Sequence, residues 1–280
     1  MKRKLVVIMG LLVSMFSYGQ SKFVADNLED GKFIKVGAGF NKIKFRDMAT
    51  SPLFYEGSLK HFDLGFVKCK EGKERELNFS FSTGKAGNTT NKHSSLSTVS
   101  IYNLNYSKLY PVWNKDKWNF KAGGELSNTF HMRSNPSFQN NATGIEVVST
   151  LFASGKISWD ISNKKRKRAR LLFIPMNFRP RKRDLSFQMK MAVMNNTYRN
   201  GYAYINNSDV INNPSVWDDY QFKMFSGYRI GTEMNYTVTL ENSNAIRLGY
   251  EFDAYRTGGD LDKFAMANHV LKIALLFKTK

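Results

Sequence analysis

WNFKAGGELSNTFHMR, residues 118–133, sorts into two faces. Trp118, Phe120, Ala122, Gly124, Leu126, Asn128, Phe130 and Met132 take the even positions. Asn119, Lys121, Gly123, Glu125, Ser127, Thr129, His131 and Arg133 take the odd ones. Successive side chains of a β-strand point to opposite faces, so the stretch reads as a strand with one apolar face and one charged face. Asn128 is the single polar side chain on the apolar face. That face needs a cover, either a second sheet in a sandwich or lipid around a spanning barrel.

The alternation recurs. Leu77, Phe79 and Phe81 alternate with polar residues in 76–82. Val147, Leu151, Ala153, Ile157, Trp159 and Ile161 share one phase of 146–162. Phe222, Met224, Tyr228, Ile230, Met234, Tyr236, Val238 and Leu240 share one phase of 221–240. Ile246, Leu248, Tyr250, Phe252 and Ala254 do so in 246–254, and the chain closes on Leu271, Ile273, Leu275 and Phe277.

Length separates the two covers. Soluble strands usually run about 3–10 residues, and the alternation at 118–133 and 221–240 continues past that. Trp118 and Phe130, Tyr110 and Trp113, Trp159, and Trp217 with Tyr220 and Phe222 lie toward segment ends, as in the aromatic girdles of a spanning barrel. The pattern predicts an all-β fold, an antiparallel transmembrane β-barrel.

Strands are expected near 33–45, 58–69, 75–82, 98–109, 117–133 and 146–162. The connections 46–57, 70–74, 83–97, 110–116, 134–145 and 163–167 then alternate long and short. The short 241–244 and long 257–268 continue the rhythm. Short turns belong to the periplasmic end of such barrels, so the N-terminus is expected there. Residues 168–178 and 183–194 read as two further strands, making eleven. An even number is needed if both ends lie in the periplasm. Either 201–205 is a short strand, giving twelve, or 183–219 is a loop, giving ten. Twelve is the expectation and ten the alternative. Pro175 and Pro180 predict a distortion in this region, because proline fits poorly in a regular ladder.

The N-terminus begins MKRKLVVIMGLLVSMFSYGQ. A basic start (Lys2, Arg3, Lys4), a short apolar run (Leu5 to Phe16), and Ser17 and Gly19 before a cut at Gln20 form a secretory signal peptide pattern. The run falls short of the roughly 20 residues of a spanning helix. The expected organisation is a signal peptide over 1–19 and one barrel domain over 20–280. With Cys69 as the sole cysteine, an exported chain cannot be held by an internal disulfide. The formal net charge is +19, which attracts anionic surfaces. The basic runs 163–170 and 179–184 suit lipid phosphate or lipopolysaccharide in an exported protein, and no nucleic-acid partner is expected.

This layout resembles the outer-membrane β-barrel proteins of Gram-negative bacteria over the whole mature chain. The resemblance rests on the leader, the alternating strands, the aromatic rims, Asn- and Ser-rich connections such as 134–145, and the apolar final strand. It implies an outer-membrane location. The tail departs from the class in that Lys278, Thr279 and Lys280 follow Phe277, where an aromatic residue often ends the chain.

Some barrels of this size are enzymes. Outer-membrane phospholipases and lipid A deacylases carry His-x-Ser on one face, whereas His131 and Ser134 are three apart and fall on opposite faces. Omptin-type proteases hold an Asp pair and a His–Asp pair above the rim, and His61 with Asp63 and Asp218 with Asp219 are the nearest equivalents. His61, His93, His131 and His269 lack metal-ligand spacing. Neither GAG (37–39) nor AGG (122–124) is a phosphate loop. No catalytic residue, metal or cofactor is expected.

The inward phase carries both signs: Lys121, Glu125, His131, Arg133, Lys156, Asp160, Arg229, Glu233, Arg247, Glu251 and Asp253. These are the expected lumen-lining residues. They either line a narrow selective pore or pair with one another and fill the barrel. The leading expectation is a pore or channel-like protein. A structural or accessory barrel presenting outer loops to a protein partner is the alternative, and a barrel-embedded hydrolase is third.

Overall fold

The long alternating segments become long strands. In the computed structural model, which describes residues 30–90, 95–162, 167–171, 174–178, 181–200, 220–257 and 263–279, thirteen strands are formed. They are β1 (Gly31–Asp47), β2 (Ser51–Lys70), β3 (Lys73–Asn88), β4 (Leu96–Lys115), β5 (Trp118–Ser134), β6 (Thr143–Asp160), β7 (Lys167–Leu171), β8 (Ile174–Phe178), β9 (Arg183–Asn200), β10 (Tyr220–Lys223), β11 (Tyr228–Thr239), β12 (Ala245–Thr257) and β13 (Phe264–Thr279).

Ten strands close a barrel by antiparallel pairing. Strands β1 to β6 pair in succession; β6 pairs with β9, β9 with β11, β11 with β12, β12 with β13, and β13 returns to β1. Among the described residues the closed barrel counts ten strands, the number of the alternative expectation, and not twelve. The described residues 167–171 and 174–178 form a separate two-stranded sheet, β7–β8, instead of one barrel strand. Five-residue strands are too short to span, since a crossing needs about 9–11 residues. Segment 183–194, part of a loop in the ten-strand alternative, instead belongs to β9 inside the barrel. Strand β10 is the eleventh member of the sheet. It extends the β9 ladder beyond β11, pairing Tyr220 with Asn200 and Lys223 with Thr197. The leader, 201–205, Asp218 and Asp219 lie outside the described residues.

Strand β9 changes phase once. Leu151 pairs with Met194 and Phe152 with Ala192, leaving Val193 as an extra residue. Such a bulge swaps the faces of the residues beyond it. Below it Lys190 and Gln188 are buried; above it Asn195, Thr197 and Arg199 are.

Most strands overshoot a bilayer. Strands β2 and β4 each run 20 residues, and the expected long connection 46–57 shrinks to a turn at 48–50. At the end where β1 starts, Glu71–Gly72 joins β2 to β3 with positive φ at both residues (53° and 76°). That is the signature of a tight I′ hairpin. Asp116–Lys117 joins β4 to β5 in two residues as well. At the opposite end 135–142 is longer and holds a short 3-10 helix (Pro136–Asn141).

Register sorts the outer face into rows. Ile34, Phe66, Leu77, Tyr106, Leu126 and Leu151 lie side by side across β1 to β6. Beyond it come the row of Val36, Leu64, Phe79 and Leu104 and then an aromatic-rich row of Phe62, Phe81, Tyr102 and Phe130. Phe62, Leu64, Phe66, Leu77, Phe79, Leu104 and Leu126 are exposed to the outside. A continuous apolar belt of this kind is what a lipid environment covers. Trp118 and Trp159 stack at its lower edge, with rings 5.2 Å apart. Asn128, polar on this face, accepts a hydrogen bond from the Ser149 hydroxyl at 2.8 Å on the neighbouring strand. Two polar groups thereby satisfy each other where water is excluded.

Candidate functional site: an ion-paired barrel interior

The inner face of β1 gives the vertical order: Phe33, Lys35, Gly37, Gly39, Asn41, Ile43, Phe45, Asp47. An apolar cluster of Phe33, Val67, Cys69, Ala245 and Leu276 occupies the end where β1 starts. A second, including Ile43, Phe45, Tyr55, Leu59, Val99, Phe264 and Met266, occupies the other half. Charged residues fill the space between them and lie beside the second cluster.

The lower charged layer is built on shared carboxylates. Glu74 accepts from Lys121 at 3.0 Å and from Lys156 at 2.6 Å. Lys35 donates to Glu76 and lies 3.2 Å from Asp63. Arg247 approaches Glu76 at 3.9 Å. Gly37 makes room here, because a Cβ would stand 2.0 Å from an Asp63 carboxylate oxygen. The GAG stretch thus serves packing of a charge pair.

Above it, Lys190 donates to Glu125 at 2.9 Å and Lys272 to Glu251 at 3.0 Å, with Lys190 4.0 Å from Glu251. Glu233 accepts from the Asn235 amide. Arg229 donates twice to Asp253, at 2.9 and 2.8 Å, and reaches across to Thr129 and Thr150. Its guanidinium also lies 5.2 Å from the centre of the Tyr255 ring.

The upper layer joins two arginines to two acids. Arg133 donates to Asp47 at 2.6 Å and lies 3.3 Å from Glu146. Arg199 donates to Asp47 at 2.8 Å and lies 3.1 Å from Glu146. His131 is 3.5 Å from Glu146, and Arg133 packs over the Phe264 ring at 4.4 Å. Charges removed from water are costly unless they are paired, and this arrangement pairs both arginines with both acids, while Arg133 Nη1 and His131 Nε2 are buried without a hydrogen bond.

The expected lining residues divide by depth. Lys121, Glu125, His131, Arg133, Lys156, Arg229 and Arg247 are buried on the inner face; Glu233, Glu251 and Asp253 are half-buried there. Asp160 sits at the strand end, where it accepts from the Ser162 amide. Sequence reasoning missed their partners Lys35, Asp47, Glu74, Glu76, Glu146, Lys190, Arg199 and Lys272. Strict alternation in β13 places Lys272 between Leu271 and Ile273, a signal that was available. Asp47 and Glu74 fell in expected connections.

The candidate catalytic residues are also located. His131 is fully buried inside while Ser134 is exposed, so the two do not meet. His61 and Asp63 share the inner face; the His61 ring is 2.9 Å from the Ser82 hydroxyl, and Asp63 serves Lys35. Among the described residues, no cluster of three or more His, Cys, Asp or Glu could hold a metal ion.

Hollows remain between the layers. One of about 30 Å³ is bordered by His61, Ser82, Glu125, Lys190 and Arg229, and another of about 30 Å³ by Lys35, Glu74, Glu125, Lys190 and Lys272. Each has room for about one or two waters.

No protein-family model and no curated protein matches the chain. Solved structures do. The outer membrane protease OmpT from Escherichia coli is 6% identical, with 89% of this chain and 97% of that chain aligned at a TM-score of 0.53. The translocator domain of the autotransporter NalP from Neisseria meningitidis is 6% identical, over 99% of this chain and 97% of that one, at a TM-score of 0.40. The P. putida toluene transporter TodX is 9% identical, over 89% and 90%, at 0.34. At these identities likeness concerns fold, not activity. The chain is a closed antiparallel barrel with the architecture of Gram-negative outer-membrane β-barrel proteins.

Proposed function

We propose that this chain is an integral barrel of the Gram-negative outer membrane that works with a closed lumen, as a structural or accessory barrel presenting its surface to a partner. The observation that carries this reading is the burial of the inward cations. Lys35 and Lys121 are 2% exposed, Arg229 5% and Lys190 6%, whereas a water-filled passage of porin type would leave such side chains wet. Ten strands lie just above the eight-stranded barrels whose interiors side chains fill. The apolar belt supports the membrane placement, and the two-residue turns at the end where β1 starts favour an orientation with that end toward the periplasm.

Liposome swelling tests the closed lumen. Vesicles holding the folded protein are expected to swell no faster in an arabinose gradient than empty vesicles. Swelling at a rate that rises with protein density would overturn the reading.

A narrow pore is the second reading. It is favoured by the two hollows, which share Asn105, Glu125, Lys190 and Glu251 as borders and so adjoin each other at mid-barrel.

A further inference from the structure

The outer wall carries a row of cations in register. Lys32 of β1 pairs with Lys68 of β2, Lys68 with Arg75 of β3, and Arg75 with Lys108 of β4. All four point outward: Lys32, Lys68 and Arg75 are exposed and Lys108 is half-buried. Lys70 and Lys73 face each other one step nearer the turn. Like charges placed directly opposite across strands destabilise a sheet. Acids do not relieve the row. Glu71 lies 3.6 Å from Lys70, and Asp30 is engaged by the Glu71 amide. Lys32, Lys68, Arg75 and Lys108 have no ion pair among the described residues.

The surroundings say what could relieve it. Lys68, Lys70, Glu71, Lys73 and Arg75 border a hollow of about 280 Å³. The next row along the wall is the apolar one of Ile34, Phe66, Leu77 and Tyr106. A ligand fitting both rows has an anionic head and apolar chains, in that order along the barrel axis. Beside Lys108, Tyr110 offers a ring 5.0 Å away, the amphipathic side chain typical of a membrane interface. Across β4 the cations stop, because Lys108 pairs with Gly124. Among the described residues of β1 to β5, the row is therefore confined to β1 to β4.

We propose that this patch is a site for the phosphate headgroup of an anionic phospholipid in the inner leaflet of the outer membrane. The leaflet is set by the two-residue turns at this end, so this inference rests on the membrane placement above. The phosphate lies over the row, and the acyl chains run up the apolar row beside it.

Native mass spectrometry of the folded protein in detergent, with phosphatidylglycerol or phosphatidylcholine added, tests this. Wild type is expected to retain phosphatidylglycerol at least about tenfold more tightly than phosphatidylcholine, with a preference that falls at high salt. Replacing all four cations of the row (K32Q, K68Q, R75Q and K108Q) should abolish the preference. A control with cations removed at the other end of the wall (K42Q, K44Q and K85Q) should keep it. Equal retention of both lipids by wild type, or equal loss in both variants, would overturn the site. Tighter retention of lipid A than of phosphatidylglycerol would overturn the leaflet assignment. A heat-modifiable gel shift on the same samples reports barrel folding. Loss of that shift indicts the membrane barrel itself, whereas its retention with no lipid preference indicts the site alone.

Discussion

Asp47 at the end of β1 and Arg199 near the end of β9 meet at 2.8 Å, although 152 residues separate them. Arg133 of β5 binds the other oxygen of the same carboxylate. One acid thus ties three strands of the wall together from the inside.

Asp47→Asn should therefore destabilise the barrel. Two buried guanidinium groups lose a shared counter-charge, which costs about 3–5 kcal/mol for a buried pair broken on one side. The urea midpoint of the heat-modifiable gel shift should fall. Replacing Asp47, Glu146, Arg133 and Arg199 together by apolar residues should cost less than the single change, because no buried charge is then left without its partners. An unchanged midpoint for Asp47→Asn would count against the triad.

Glu74 offers a graded test. It serves both Lys121 and Lys156. Glu74→Gln takes a shared carboxylate from two buried ammonium groups, while Lys121→Gln leaves the Glu74–Lys156 pair intact. The first should lower the urea midpoint clearly more than the second. Equal effects would mean that the layer is not organised on Glu74.

On the outside, Ser149→Ala should cost about 1–3 kcal/mol, because Asn128 is left with an unmatched oxygen facing lipid. Combining it with Asn128→Leu should restore stability, since an apolar pair needs no partner. If the double variant is worse than Ser149→Ala alone, the face bearing Asn128 is wet and not lipid-covered.

Cys69 reports folding. It is 2% exposed in the apolar cluster at the end where β1 starts. A maleimide should leave it untouched in the folded barrel and label it fully in the slow-migrating band after heating. Rapid labelling of the folded band would show that this end of the lumen is open.

Much of this architecture was legible in the sequence. The even phase of 118–132 turns outward and the odd phase inward, because alternation is set by the backbone alone. The residues of 246–254 behave in the same way. What was not legible depends on pairing. Val193 shifts β9 by one residue, and a bulge leaves no mark in alternation except a break. That hid Arg199 and, with it, the triad on Asp47. Residues 168–178 look like a spanning strand by composition, but strands β7 and β8 within them pair with each other, Leu171 with Ile174 and Arg170 with Pro175. The lumen charges were visible by sign, but their partners lie on strands far apart in sequence. Glu74 and Lys156 are 82 residues apart, and no local pattern announces that register.

On the proposed reading, paired charges close the lumen. Single-channel recording in planar bilayers tests it most directly, using wild type beside a variant in which Glu74, Glu125 and Arg229 are replaced by alanine. A silent wild type is expected, with conductance steps only in the variant, whose layers have been loosened. Regular, ion-selective steps from folded wild-type protein would contradict it.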